Sequence, residues 1–316
     1  MKLKGLSFIG TLLLIISFLS SCSEPVSAPL RLGTNRWPGY EPLYLARELG
    51  LLQTDDFRLV EYPSGTEAMY AMRNNSIDMA ALTLDEALVL IQDGVKINIV
   101  LIMDFSAGAD AVVGKPEIQN LSQLAGKRIA YESAAVGAIM IDALLTKAGL
   151  STDQVILVNR TVNHHIQAYQ QNEADVIVTF EPILSQLLAM GGHRLFDSKA
   201  IPGRIIDVLV IRSDIMEKHT AEIKQLINAW FQALTMIQRE PAKVMPVLAK
   251  RLGLTVQQMH NAYEGLVLPD REINKTYYLL SNKLKNQADS LQQLMLRRGL
   301  LQQQVNLDTV FNGEAL

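Results

Sequence analysis

The chain has 316 residues, with 29 Lys+Arg against 32 Asp+Glu and 49% hydrophobic residues. At ~100–200 residues per domain this length allows one large or two ordinary domains, and the slightly acidic balance supplies no field for coating nucleic acid. One cysteine excludes an intramolecular disulfide and any Cys-rich zinc or iron–sulfur site. The hydrophobic content is too high for a disordered chain and too dispersed for a multispanning membrane protein.

The first residues assign a compartment. Lys2 and Lys4 precede an almost wholly apolar run, Leu6 to Leu19, that ends in Ser20-Ser21-Cys22. About fifteen apolar residues fall short of the ~20 of a spanning helix and match a signal-peptide core. Leu19-Ser20-Ser21-Cys22 resembles a bacterial lipobox, in which the cysteine is diacylated and becomes the mature N-terminus. Residues 1–21 are expected to be a lipoprotein signal peptide, and residues 22–29, polar and Pro-containing, an acylated tether. Two or more acyl chains hold a membrane stably where one holds marginally. The body of the protein is therefore expected outside the cytoplasm, lipid-anchored in the cell envelope, where ATP- and NAD-dependent chemistry is out of place.

From Leu30 onward, short apolar runs alternate with helical stretches, the pattern of an α/β protein with largely parallel sheets. Leu30–Gly33 reads as a strand, Glu41–Leu51 as a helix, Phe57–Tyr62 as a strand and Gly65–Arg73 as a helix. Met79–Leu82 (strand), Leu84–Gln92 (helix) and the strongly apolar strand Ile97–Met103 follow. The series then restarts with strand Arg128–Tyr131, helix Val136–Ala148, strand Val155–Val158, helix His165–Gln171, strand Val176–Phe180 and helix Glu181–Met190. A helix–Asn–x–x–Asp–strand motif occurs at Met72–Leu82 and again at Tyr169–Thr179, aligning Asn75 with Asn172 and Asp78 with Asp175 at an offset of 97. Two similar units imply two lobes facing each other. After a strand at Ile205–Ile211 the chain reads as helical over Asp214–Arg239, Pro241–Arg251, Val256–Tyr263 and Lys275–Arg298. Pro241 stands where a new helix begins, and this tail is expected to pack on the first lobe.

Trp37-Pro38-Gly39-Tyr40, followed by Glu41-Pro42-Leu43-Tyr44-Leu45-Ala46 and closed by Gly50-Leu51, resembles the opening of the nitrate/sulfonate/taurine-type periplasmic binding proteins. That superfamily includes the binders of thiamine-pyrimidine precursors. Ser64-Gly65-Thr66, the Asp78 strand entry, Leu124-Ala125-Gly126-Lys127-Arg128-Ile129-Ala130 and Asp175 through Glu181-Pro182 agree in order and spacing. The resemblance implies a type II binding-protein fold, two α/β lobes joined by two crossover strands. Residues 30–108 plus 207–316 would form lobe one and residues 109–206 lobe two. It also implies as partners a small-molecule ligand and an ABC permease. No nucleophile, metal or acid–base pair stands out, so the chain is expected to be a monomer that is not an enzyme and needs no cofactor.

In open α/β sheets ligands sit at the carboxyl ends of strands, where helix N-termini offer unpaired N–H groups. That rule places Arg36, Trp37 and Tyr40 after the first strand, the aromatics supplying flat walls with hydrogen-bonding edges. Ser64, Gly65 and Thr66 open the second helix and could hold an anionic or carbonyl group, or serve only as its cap. Thr83 and Asp85 follow the third strand, Asp104 and Phe105 the fourth. Ser133, Val136 and Gly137 start the first helix of lobe two, Phe180 and Glu181 end a strand, and Asp207 lies near the second crossing. Asp85 and Glu181 could equally be helix caps. Asp85, Asp104, Glu132, Glu181 and Asp207 meet only one comparably placed base, Arg36. Such a cleft rejects a bare anion and suits a small ligand carrying an amine, an amidine-like nitrogen or a protonated heterocycle.

No nucleophile elbow, phosphate loop or dinucleotide-binding glycine pattern is present. The adjacent His164 and His165 point about 100° apart on a helix and do not form a zinc pair. Cys22 stands alone, unlike the cysteine-rich motif of the superfamily's pyrimidine-synthase branch. Delivery of a solute to an ABC importer is the expected function. The alternative is a ligand-sensing receptor for a membrane histidine kinase or diguanylate cyclase. Ser23 after Cys22, in place of the Asp that retains enterobacterial lipoproteins at the inner membrane, leans toward that alternative.

Overall fold

The computed structural model describes residues 28–133, 136–277 and 282–316. The expected signal peptide, the acylated Cys22 and most of the tether lie outside the described residues. Among the described residues no helix is long and apolar enough to cross a membrane.

The chain builds two sheets in sequence. The first opens with strand β1 (Leu30–Asn35), helix α1 (Glu41–Glu48), β2 (Phe57–Tyr62), α2 (Gly65–Arg73), β3 (Met79–Thr83), α3 (Leu84–Gln92) and β4 (Ile97–Ser106). The chain then crosses to a second sheet with β5 (Asp110–Gly114), β6 (Arg128–Tyr131), α4 (Val136–Ala148), β7 (Ile156–Asn159), α5 (His165–Gln170), β8 (Val176–Phe180), α6 (Ile183–Ala189) and β9 (His193–Asp197). It returns with β10 (Ile206–Arg212) and ends with α7 (Ser213–Lys218), α8 (Thr220–Arg239), α9 (Pro241–Leu252), α10 (Val256–Glu264), β11 (Leu266–Val267), α11 (Arg271–Lys275) and α12 (Lys283–Arg297). The first sheet has the order β11-β4-β10-β3-β1-β2 and the second β7-β6-β8-β5-β9.

The sheets are mixed, not largely parallel. β1 runs parallel to β2 and β3, and β6 parallel to β7 and β8. The strand that enters each sheet from the other, β10 in the first and β5 in the second, pairs antiparallel on both sides. Three strands escape the sequence reading: β5, β9 and β11. All are short, and β9 is an edge strand whose order comes from pairing with β5 rather than from its own apolar pattern. The expected single helix from Asp214 to Arg239 breaks at His219 (φ −126°), where the Thr220 hydroxyl bonds the Met216 carbonyl and competes with the helix ladder. Asn282, at φ 49°, cannot continue a right-handed helix, so α12 starts afresh beyond it.

The repeat has a physical basis. Asn75 and Asn172 take left-handed φ values of 56° and 57° after α2 and α5. Each lets the next residue, Ser76 or Glu173, bond back to the carbonyl of Ala71 or Ala168 and close the helix. Three residues on, Asp78 accepts both the backbone N–H and the guanidinium of Arg31, and Asp175 accepts the same groups of Arg128. The arginines, also 97 apart, donate to the Asn75 and Asn172 carbonyls. Each tie fastens a helix end to the first strand of its sheet.

The apolar interior follows the sheets' faces. One cluster joins β1, β3 and β10 to α8 and α9 through Leu32, Leu209, Trp230 and Leu248. Another runs from Met69 and Leu88 through Ile201 and Ile205 to Ile141 and Leu144, and so spans both sheets. The helical tail packs on the first sheet: Ile99 of β4 exchanges backbone bonds with Val310 and Asn312.

Replacing Asn75 or Asn172 by Ala is expected to lower stability by about 1–2 kcal/mol through the left-handed backbone, whereas glycine at either position stays near neutral. Thermal melting of the four variants checks this.

Candidate functional site

Side chains from both sheets close on one interior cavity. Asn35, Trp37, Tyr40, Gly65, Thr83, Glu86 and Asp207 line it from the first sheet's side. Asp110, Glu132, Val136 and Phe180 line it from the second, and Ile205 from the returning crossing. The cavity is small, about 40 Å³.

The turn after β1 sets the aromatic wall. Pro38–Tyr40 form a short 3₁₀ turn that leads into α1 and buries Trp37 and Tyr40. Trp37 Nε1 donates to Asp104 Oδ2 at 3.0 Å, and its ring meets Phe180 edge-on at 5.6 Å across the cavity. The Tyr40 hydroxyl donates to Asp207 Oδ1. Gly39 is required here, because a Cβ would lie 1.8 Å from Asp104 Oδ2.

Asp104 and Asp207 face each other as cross-strand partners on β4 and β10, both buried. Asp104 Oδ1 and Asp207 Oδ2 receive no N–H or hydroxyl donor. Burial pushes Asp104 up to about 7, and pushes Asp207 well above the carboxylate range with the Asp104 charge adding to it. Asp110, which opens β5, is buried with Oδ2 lacking a partner, and burial raises it to about 7. Glu86 Oε2 accepts the Thr83 backbone N–H at 2.9 Å. Its other oxygen fills the space where a Gly65 Cβ would stand, 2.3 Å away. Burial, followed by the charge of Asp85, lifts Glu86 to about 8. Glu132 accepts the Thr66 hydroxyl from across the cavity and the Val162 backbone N–H at 3.0 Å.

Of the residues expected at the site, Trp37, Tyr40, Gly65, Thr83, Val136, Phe180 and Asp207 line the cavity. Asp104 stands behind Trp37 and Asp207, and Thr66 reaches the lining through Glu132. Others do not line it. Arg36 is exposed, with its guanidinium on the Arg251 carbonyl at 3.4 Å, so the one base expected in the cleft is not there. Ser64 caps α2 by accepting the Glu67 N–H. Asp85 is buried beside Glu86, where burial raises it to about 6. Phe105 packs on Tyr277, and the Ser133 N–H is taken by Asn159. Gly137 sits against the Glu132 carbonyl, 2.4 Å from where its Cβ would be. Glu181 accepts the N–H and hydroxyl of Ser185, as a cap does.

Asn35, Glu86, Asp110 and Ile205 were not among the expected residues. Glu86 had a visible signal, the capping-box spacing Thr83-Leu84-Asp85-Glu86, but that pattern reads as a helix start. Asp110 had none, since β5 itself is not legible. His165 is held between Thr179 and the Arg160 carbonyl, and burial depresses it to about 4. Among the described residues no group of three or more His, Cys, Asp or Glu is placed to hold a metal ion.

Two α/β sheets joined by two chain crossings around a shared cavity define a type II periplasmic-binding-protein fold. The profile of the NMT1-like family matches residues 23–252, and the chain belongs to that family. It is 25% identical over 264 residues, 77% of either chain, to a protein of Escherichia coli (strain K12) named as an aliphatic sulfonates-binding protein. The alkanesulfonate-binding protein SsuA from Xanthomonas axonopodis pv. citri, solved with MOPS bound, superposes with a TM-score of 0.77 at 18% identity, covering 92% of this chain and 99% of that one. The desulfurization enzyme DSZB shares the fold at a TM-score of 0.68 and 16% identity, over 90% of this chain and 97% of its own.

The buried carboxyls set a sign for pH. Asp104, Asp110, Glu86 and Asp207 hold protons in the fold that the unfolded chain has lost above about 4. Stability therefore falls as pH rises through their raised values. His165, depressed by burial, acts oppositely below about 6.5, and the lowered Asp78 and Asp175 act only at more acid pH. Between pH about 6.5 and 8 the ligand-free protein is expected to lose melting temperature, on the order of several degrees. Asp110→Asn is expected to flatten the decline.

Proposed function

We propose that this chain is an extracytoplasmic solute-binding lipoprotein that captures a small nitrogen-containing organic molecule between its lobes and presents it to an ABC importer. One observation carries the ligand class: the cavity lining holds Glu86, Asp110, Glu132 and Asp207 and no Lys or Arg. Desolvated carboxyls without a counter-charge oppose a bare anion by several kcal/mol and favour an amine, an amidine or a protonated heterocycle. A taurine-like ligand would enter amine first. Trp37, Tyr40 and Phe180 supply faces for cation–π contact.

The moving units are residues 30–108 with 207–316 and residues 109–206, hinged where the chain crosses between sheets. Ligand touching both walls would stabilise the closed form, which the permease reads. Two contacts favour closure: the Thr66–Glu132 hydrogen bond and the ion pair of Arg298 on the tail with Asp142 of α4 at 2.5 Å. The lining contains no Ser, Cys or His, which supports binding over catalysis although DSZB shares the fold. The lipobox at Cys22 supports an acylated anchor. Ser23 supports a second reading, a receptor that regulates a membrane histidine kinase or diguanylate cyclase; membrane fractionation of the native lipoprotein separates outer-membrane from inner-membrane anchoring.

A thermal-shift screen of amines, amidines, protonated pyrimidines, taurine, nitrate and ethanesulfonate tests the ligand class. A ligand at 100 times its dissociation constant stabilises by ~2.7 kcal/mol, so a nitrogen base is expected to raise the melting temperature by several degrees. Micromolar binding of nitrate or ethanesulfonate with the amines ignored would sink the reading.

A further inference from the structure

We propose that the ligand presents a compact, N–H-bearing cationic head, and that its entry expels protons from the Asp104–Asp207 pair and Asp110 to solvent, so that loading is proton-coupled. This rests on the nitrogen-ligand reading above and narrows it.

The geometry supplies both halves of the inference. Asp104 and Asp207 face each other across β4 and β10, and one oxygen of each is occupied, by Trp37 Nε1 and by the Tyr40 hydroxyl. The remaining oxygens, Asp104 Oδ1 and Asp207 Oδ2, have no donor, and neither does Oδ2 of Asp110 from the other sheet. Asp207 and Asp110 line the cavity. Buried acceptors without donors are costly to leave unmet, and those of Asp207 and Asp110 belong to opposite walls of the cavity, so a small group carrying N–H donors on more than one side can satisfy them together. A cavity of about 40 Å³ suits a head of a few heavy atoms, such as a guanidinium or an amidinium.

Among the described residues no Lys or Arg lines the cavity beside this cluster. Arg194 is engaged by Asp197 and the Gly108 carbonyl, and Arg251 by Glu41 and Glu61. The Lys199 stem lies on Gly108, and Arg36 stays outside. The other titratable groups facing the cluster are acids and phenols: Glu86 and Asp85 from α3, Glu132 after β6, Tyr40, and Tyr263 of α10. With the cavity empty, only protons can neutralise the carboxyls, and the raised positions of Asp104, Asp110 and Asp207 agree. A bound cation replaces them. Each carboxylic acid loses its O–H proton to buffer and keeps the electron pair, and the carboxylate then accepts from the ligand's N–H.

Calorimetry of the mature protein with guanidinium and with acetamidinium, both charged throughout, in phosphate and in Tris at pH about 6, 7 and 8 tests the proposal. The expected result at pH 7 is release of at least one proton per bound cation, read as a buffer-dependent enthalpy. Affinity should climb about tenfold per pH unit for one proton released and level off above about 8. Asp110→Asn and, separately, Asp207→Asn, each checked for folding by circular dichroism, should release fewer protons and flatten the climb. Cation binding with no buffer dependence and no pH slope overturns proton coupling and leaves the nitrogen-ligand reading standing. Failure of both compact cations while larger amines or pyrimidines bind overturns the compact head. Binding of nitrate or ethanesulfonate in place of any cation overturns both readings.

Discussion

Two carboxyls placed opposite each other on adjacent strands, with no cation beside them, constrain much of the cavity. The register that sets Asp207 against Asp104 puts like charges at the position where they repel most. The repulsion is relieved by protonation, which burial favours, and by donors recruited from the turn after β1. Trp37 and Tyr40 are held in place because their polar ends are committed to this pair. Gly39 is held to a hydrogen side chain by the same carboxyl. The aromatic wall and the acidic floor are thus one hydrogen-bonded unit.

That unit lies where the chain changes sheets. β10 brings Asp207 back beside β4, and β5 carries Asp110 into the second sheet just after the first crossing. The acidic cluster and the two chain crossings therefore share the same short segments, so a change of charge in the cavity falls on the strands that join the two sheets. The twin Arg31–Asp78 and Arg128–Asp175 ties sit elsewhere and fasten each sheet's helix to its first strand.

Much of the scaffold was legible because its determinants are local. Asn75 and Asn172 announce left-handed helix ends, and the spacing to Asp78 and Asp175 announces strand entries, since each motif closes within a few residues. Arg31 and Arg128 carried the same offset and completed the motif. The site was legible in part. Trp37, Tyr40, Phe180 and Asp207 follow from strand ends, whereas Arg36, Ser64, Asp85, Phe105 and Glu181 occupy equivalent sequence positions and point elsewhere. Strand-end position locates a residue near the cavity but leaves undecided which way its side chain turns.

The sequence by itself determined the two-unit repeat, the family resemblance and the acidic excess at strand ends. Those depend on composition and on spacings of a few residues, where backbone geometry permits few alternatives. Only the tertiary structure decided that Asp104 meets Asp207, that Asp110 faces them from the other sheet, and that Glu86 folds back against Gly65. Each of these contacts joins residues whose proximity is set by strand register and by the packing of one sheet's loops on the other's. Register is a cooperative outcome of pairing many residues at once, and short strands such as Asp110–Gly114 carry too little pattern of their own to announce it.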